Sequence, residues 1–441
     1  MELDFTTVGA IATIALLVLL GLGFHIAIDF LVVGLIGTAL LLGIDASISL
    51  VGETMYSAIA TPTFCVLPLF ILMGAFASRG GFAERAYRSV HIIAARVPAS
   101  LAVATSFGSA VFASICGSSL ATATIFGKIA YPEMKRFNYD NAFALGSIAS
   151  SGTFACMIPP SGMFILFAIF TDQSVGRLFM AGIVPGVLTA IVYAVSMILR
   201  AKLNPKLAPM VPSERDVTIR DRGRAVIGIW PILFLGGIVI GGIYGGVFTA
   251  TEAGAAGAVG TLIFGLWDGK LRGRGQIRAS LRESAHTTSM LFFIIITALF
   301  FSRFLAVTRI PFELANFLQS WPVPPIVILG CILLLWLVLG MLIVQAAVFA
   351  LTLPILFPVV VGLGYDPVWF CVVAMKMNEI AGVTPPVGLN AFGLAGAAGE
   401  HTKVEDVFRG VWPFIVCDIV VLILLFLFPQ IVLFLPNTMM G

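Results

Sequence analysis

At 441 residues, 59% hydrophobic and 11% charged, with a mean hydropathy of +1.07, the chain is far too apolar for a soluble globular protein and reads as a polytopic membrane protein. Its net charge of +3 is small, and the basic residues lie in short connectors between apolar runs, so nucleic-acid binding has no support. Cys65, Cys116, Cys156, Cys331, Cys371 and Cys417 are scattered through apolar stretches with no CxxC, and read as small hydrophobes rather than disulfide or metal ligands.

A helix needs about 17 to 25 mostly apolar residues to cross a bilayer. Two such runs open the chain, 5–23 and 26–43. The first has Glu2 and Asp4 where a signal peptide would be basic, and no small-residue cleavage site, so it is expected to be a retained span. Residues 46–58, SISLVGETMYSAI, are too short and polar to cross and predict an interfacial connector. A span at 62–78 follows, then a basic surface segment marked by Arg79, Arg85, Arg88 and Arg96. From Pro98 to Ala130 the chain is rich in Gly, Ala and Ser and is interrupted by CGSS, which suits two half-helices meeting at a tip, a re-entrant hairpin. A broken span at 138–160, extended to Thr171, and a span at 177–199 complete the first half.

Residues 200–224 form the only long hydrophilic stretch and read as a linker between halves. The second half repeats the order: spans at 226–243 and 250–267, a basic amphipathic segment at 270–287, a span at 288–305 and a short segment at 310–320. A hairpin at 323–357, a broken span at 367–385 and a last span at 407–435 complete it. The repeat centres on SGTFACMIPPS (151–161) and GVTPPVG (382–388). A shift of 226 carries Pro132, Tyr139, Asp140, Pro159 and Pro160 onto Pro358, Tyr365, Asp366, Pro385 and Pro386 without a gap.

Paired prolines inside an apolar span unwind the helix, and a matched pair of such breaks in two halves points to a transporter's binding site. With the N-terminus outside, the connectors at 79–97, 128–136, 200–224, 268–282 and 398–409 hold 4, 3, 7, 5 and 2 Lys and Arg residues, against only Arg177, Arg303 and Arg309 opposite. This positive-inside bias makes the two repeats inverted, with their hairpin tips meeting near the midplane.

No nucleophile or metal constellation is legible. His25, His91, His286 and His401 are far apart, and without a GxxxxGK[ST] loop the energy source is expected to be an ion gradient or a partner. Unwound backbone with small side chains can hold an alkali cation by carbonyls. The first half offers the tip Ser114, Cys116, Gly117, Ser118 and Ser119 with Ala155, Ile158 and Pro159; the second offers Gly340 and Gln345 with Ala381, Gly382, Thr384 and Val387. The same Gly and Ser residues could instead serve close helix packing. Lys376 and Glu379, three apart in the second broken span, either pair with each other or leave Lys376 to attract an anionic substrate, with Asn378 between them. Half-helix N-termini at the midplane would favour a carboxylate in either case.

CGSSLATATIFGKIAYPEM, then YD, MIPPS, GRLFMAGIVPG, GGVFTATEAGA, YDPVWF and NEIAGVTPPVGLN, in this order over essentially the whole chain, resemble the large membrane subunit (M subunit, DctM-like) of tripartite ATP-independent periplasmic (TRAP) transporters. The resemblance implies an all-α polytopic membrane protein: an inverted repeat with two re-entrant helical hairpins and two broken helices, working as an elevator-type transporter. It implies no enzyme and no cofactor, with Na+ as coupling ion at the two carbonyl clusters. It further implies uptake of an organic acid, C4-dicarboxylate-like or another carboxylate, delivered by a periplasmic substrate-binding protein, with a small four-helix membrane subunit as second partner in the bacterial inner membrane.

The implied divisions are a first repeat at 1–200 (scaffold 1–96, hairpin and broken helix 97–175), a linker at 201–224, and a second repeat at 225–441 (scaffold 225–320, hairpin and broken helix 321–400, last helix 407–435). No four-helix segment precedes residue 1, so the large subunit alone is expected. Candidate substrate contacts are Ser119, Thr122, Lys376, Asn378 and Asn390. The chain departs from the usual pattern at Cys116, where serine is frequent, at Ala155 and Ala381, where glycine is, and at Ala250, where proline is. Backbone ligation tolerates such changes. Alternative functions are a stand-alone sodium/dicarboxylate symporter of related fold and a non-transporting membrane scaffold or receptor.

Overall fold

The computed structural model describes residues 4–211, 217–399 and 402–438; Glu2, linker residues 212–216 and His401 lie outside them. Among the described residues the chain is helical throughout, with no strand. The first half begins with α1 (Phe5–Gly21), α2 (Ile26–Leu42), α3 (Ile44–Ala60), α4 (Val66–Arg79) and α5 (Phe82–Ala94). Then come α6 (Ser100–Cys116) and α7 (Ser119–Arg136), followed by α8 (Asn141–Gly152), α9 (Phe154–Met157), α10 (Gly162–Thr171) and α11 (Val175–Leu203). The second half begins with α12 (Ile219–Gly228), α13 (Trp230–Tyr244), α14 (Ala250–Trp267), α15 (Gln276–Thr308) and α16 (Ile310–Gln319). It continues with α17 (Pro325–Leu342), α18 (Gln345–Gly362), α19 (Pro367–Val383), α20 (Leu389–Ala398), α21 (Val404–Leu427) and α22 (Gln430–Thr438).

Five of these helices are long and apolar enough to cross a membrane alone, and eight spans result when each bent pair counts as one. The two hairpins are α6–α7, turning at Gly117 and Ser118, and α17–α18, turning at Ile343 and Val344. The shift of 226 holds at the level of helix ends: Cys116, Ser119, Arg136 and Asn141 map onto Leu342, Gln345, Gly362 and Pro367, each the corresponding helix end. Gly117 takes a φ of +66°, which its hydrogen side chain permits at the turn.

Four boundaries differ from expectation. The basic segment at 270–287 and the span at 288–305 are one 33-residue helix, α15, because neither Gly nor Pro interrupts 276–308. The last span ends at Leu427, and α22 is separate beyond Pro429. Residues after the second Pro-Pro form a helix of their own, α20. The linker is shorter than 201–224, since α11 runs to Leu203 and Thr218 starts α12 with a capping box closed by Asp221.

Most helices share one apolar core, and a smaller cluster joins α1 and α2 to α15 and α18 through Leu16, Phe30, Phe301, Phe304 and Leu351. The outer faces stay apolar too: Ile11, Ile14 and Val18 of α1 are exposed, as lipid-facing residues are. Small residues set the closest approach. At Gly410 an added Cβ would lie 1.8 Å from the Ala142 carbonyl oxygen and 2.8 Å from the Gly146 Cα, so α8 and α21 touch backbone to backbone.

Candidate functional site

A cavity of about 360 Å³ opens between the two hairpin tips on one side and α4 and α15 on the other. Leu67, Phe70 and Ile71 of α4 and Met290 and Leu291 of α15 make its outer wall apolar. The inner wall is made from helix starts. The first residues of α7 (Ser119, Leu120, Ala121), α10 (Gly162, Met163), α18 (Gln345, Ala346) and α20 (Leu389, Asn390) all line it.

The reason lies in the breaks: a chain that interrupts a helix in mid-membrane restarts one there, and each restart presents unpaired N–H groups with partial positive charge. Ser118 and Ser161 cap α7 and α10, accepting from Ala121 N and Met163 N. No side chain caps α18 or α20. No Lys, Arg or His lines the cavity among the described residues; its one charged lining group is Glu283, paired with Arg79 at 2.9 Å. Asn390 is 3% exposed, and its side-chain Nδ2 has no partner.

Both breaks carry a cis Pro-Pro bond, at Pro159–Pro160 and Pro385–Pro386. Hairpin tip and break are in contact in the first half, where a Cβ on Gly117 would lie 2.8 Å from the Pro160 carbonyl oxygen. In the second half Gln345 makes the junction. Its Nε2 donates to the Asn378 carbonyl at 2.7 Å, and its Oε1 accepts from the Cys156 thiol at 3.4 Å. One amide thus joins hairpin α17–α18 to both broken helices. Gly382 leaves room for it, since a Cβ there would lie 2.7 Å from Gln345 Nε2.

Cys116, Gly117, Ser118, Ser119, Gln345, Gly382 and Asn390 therefore meet at one cavity. Ser114 is turned into its own helix, its hydroxyl donating to the Val111 carbonyl at 2.7 Å. Ala155, Ile158 and Pro159 are buried behind the first tip. Gly340 packs on α19, where an added Cβ would lie 2.7 Å from Ala381 Cβ. Thr384 donates to the Ile380 carbonyl, and Val387 lies at the rim of the break, half-buried. Thr122, Lys376 and Asn378 do not line the cavity. Thr122 instead donates to the Ser118 carbonyl at 2.8 Å.

Lys376 has a different setting. It is fully buried, with Nζ 2.9 Å from Glu379 Oε2, 2.7 Å from Asp418 Oδ1 and 3.1 Å from the Thr189 hydroxyl. Tyr193 donates to Asp418 at 2.7 Å. Asp418, Thr189 and Tyr193 complete this cluster without belonging to any motif of the sequence. Asp418 carries a signal that would have found it, as a carboxylate inside the last apolar span; Thr189 and Tyr193 join only through the tertiary fold.

An all-helical membrane bundle with two hairpins, two broken helices and a cavity at their meeting point is the architecture of a membrane transporter. The fold resembles that of the Alcanivorax borkumensis YdaH transporter, with a TM-score of 0.61 at 14% identity over 88% of this chain and 89% of that one. Residues 13–431 match the family model described as the tripartite ATP-independent periplasmic transporter, DctM component, and the chain belongs to that family.

It is 32% identical to the C4-dicarboxylate TRAP transporter large permease protein DctM of Pseudomonas aeruginosa, covering 85% of this chain and 86% of that protein. It is 31% identical to the isethionate TRAP transporter permease protein DctMQ of Oleidesulfovibrio alaskensis, covering 92% of this chain and 64% of that one. The chain is thus a multi-pass large permease subunit of a TRAP transporter and not an enzyme. Family membership implies a substrate-binding protein and a small subunit as partners.

Proposed function

We propose that this subunit imports a small organic anion by sodium-coupled elevator movement. The anion is received from a periplasmic substrate-binding protein, and the subunit works beside a small four-helix membrane subunit in the bacterial inner membrane. The hairpins and broken helices move as the transport body, their two repeats inverted and the N-terminus periplasmic. The observation that carries the reading is the convergence of four helix N-termini on one cavity with no cationic side chain among the described residues of its wall. Oriented N–H groups favour a carboxylate or sulfonate without holding it as tightly as an ion pair would, which suits a site that must release its cargo.

The unpartnered Asn390 amide supplies one more donor. The two named relatives act on a C4-dicarboxylate and on isethionate, which share small size and an acidic group. Sodium would be held by carbonyls freed at Ala155–Pro159 behind the tip Cys116–Ser119, and at Ala381–Val387 beside Gly340. The test is uptake into proteoliposomes containing this chain with its small subunit and binding protein. Uptake is expected only with an inward sodium gradient and all three components. Uptake driven equally by potassium would remove the sodium coupling, and uptake by this chain alone would replace the tripartite reading with a stand-alone carrier.

A further inference from the structure

A second cavity, of about 290 Å³, opens where α5 meets the start of α13 and the end of α14. It shares no lining residue with the transport cavity. Its walls combine three rings, Trp230, Phe264 and Trp267, with one ion pair, Arg85 to Asp268, and the buried Phe82. Trp230 meets Phe264 edge to face with 5.1 Å between centroids, and Trp267 stacks on Phe264 at 6.2 Å. Trp230 and Trp267 are nevertheless 41% and 70% exposed, so much of each indole is open to a ligand.

The position is the boundary between membrane and water. Arg220 and Arg224 precede Trp230 in α12, and Asp268, Lys270, Arg272 and Arg274 follow Trp267, so both apolar helices become charged chain at this level. Tryptophan collects there because its ring is amphipathic. In the other direction the surface stays apolar and exposed along the same two helices. Leu233 and Phe234 lie a turn beyond Trp230, and Ile263 lies a turn before Trp267. A cavity set at the boundary and continued by an apolar strip fits an amphiphile.

The charges decide which one. Among the described residues the lining carries one guanidinium and one carboxylate, and the adjacent Lys270 is itself paired with Glu84 at 3.1 Å. An anionic headgroup would meet Arg85 but also Asp268 against it, whereas a zwitterion complements both. We propose that this pocket binds a phospholipid with a primary-amine zwitterionic headgroup, phosphatidylethanolamine. Its phosphate lies on Arg85, its ammonium between Asp268 and the indole faces, and its acyl chains along α13 and α14. A guanidinium fork matches phosphate oxygens, and an indole face attracts an ammonium. A primary ammonium also donates hydrogen bonds to Asp268, which a choline headgroup cannot. Gly80 is on the same wall, where α4 turns into α5 through 64°. The bound headgroup therefore braces the helix that walls the transport cavity.

Native mass spectrometry of the delipidated full chain, incubated with equal amounts of dioleoyl phosphatidylethanolamine, phosphatidylglycerol and phosphatidylcholine, tests this. The wild type should retain the ethanolamine lipid in preference to both others. Trp267→Leu should weaken that retention about tenfold, the loss of one cation–π contact, while Trp412→Leu, an equally lipid-facing tryptophan 55% exposed on α21, should leave it unchanged. Asp268→Asn removes the carboxylate and leaves Arg85, so preference should pass to phosphatidylglycerol; if that variant does not fold, the exposed Trp267→Leu carries the test. Equal retention of the three lipids by the wild type, or a preference for phosphatidylglycerol, overturns the proposal. So does an ethanolamine preference that survives both Trp267→Leu and Asp268→Asn. Binding of O-phosphoethanolamine, which has no acyl chain, as tightly as the lipid would assign the pocket to a soluble ester and overturn the lipid.

Discussion

Replacing Lys376 with Met keeps most of the side chain's length and removes only the charge and its three donors. Asp418 keeps the Tyr193 hydroxyl, while Glu379 Oε2 loses its one partner, so the fully buried carboxylates face each other uncompensated. Removing one partner of a buried pair typically costs about 3–5 kcal/mol, most of it the cost of the charge left behind. Because Met fills the stem's volume, the cavity contribution is small and the loss reports electrostatics. The assay is unfolding of the purified subunit in mixed micelles titrated with SDS. Replacing Lys376, Glu379 and Asp418 together by Met, Gln and Asn removes every charge and should recover most of the loss, since neutral replacement of a whole buried network is often tolerated. A Lys376→Met protein within about 1 kcal/mol of wild type would refute the reasoning, because a buried charge imbalance should cost several times that.

Gly410→Ala places a Cβ 1.8 Å from the Ala142 carbonyl oxygen, a backbone atom that cannot swing aside; a loss of about 3 kcal/mol or more is expected in the same titration. Gly74→Ala sets a Cβ 2.3 Å from the Cys116 carbonyl oxygen, between α4 and the first hairpin tip, so uptake should fall sharply while folded yield is kept. Asn390→Leu removes the unpartnered donor at the cavity. A hydrogen bond to a charged group is worth about 1.5–3 kcal/mol, so the apparent KM for uptake should rise about ten- to hundredfold. The Asp221 carboxyl, partly exposed at the start of α12, is held below the ordinary carboxylate range by the Thr218 hydroxyl and then its backbone N–H. Its capping is therefore complete above the ordinary value and lost as pH falls through the depressed one. Hydrogen exchange at the first turn of α12 should speed up over that acidic interval in wild type and show no such step in Asp221→Asn.

The hairpins and breaks were legible because proline and small residues act locally. Pro159 and Pro160 stop a helix wherever they fall, and the shift of 226 finds their partners by arithmetic. Helix α15 reads in sequence as two segments because its basic first half and apolar second half look like two environments. They are, but an uninterrupted helix passes from one to the other. Lys376 and Glu379 could be read as a pair, three apart on one helix. Asp418 and Thr189, 42 residues beyond and 187 before Lys376, could not be tied to it, since nothing local records that α11, α19 and α21 pack together.

Gln345 shows how the repeat produces a single site rather than two. The shift of 226 places it in register with Ser119, the first residue of α7. Both residues interact with the same thiol, Cys156 in the first broken helix. Equivalent positions of two separate repeats can share one partner only if the hairpin tips face each other across the breaks. The amide is long enough to span both, because its second end reaches the Asn378 carbonyl in the other broken helix. Serine at 119 is too short for that double contact. The asymmetry between Ser119 and Gln345 thus gives the second tip the bridging role, and Gly382 is the residue that makes room for it.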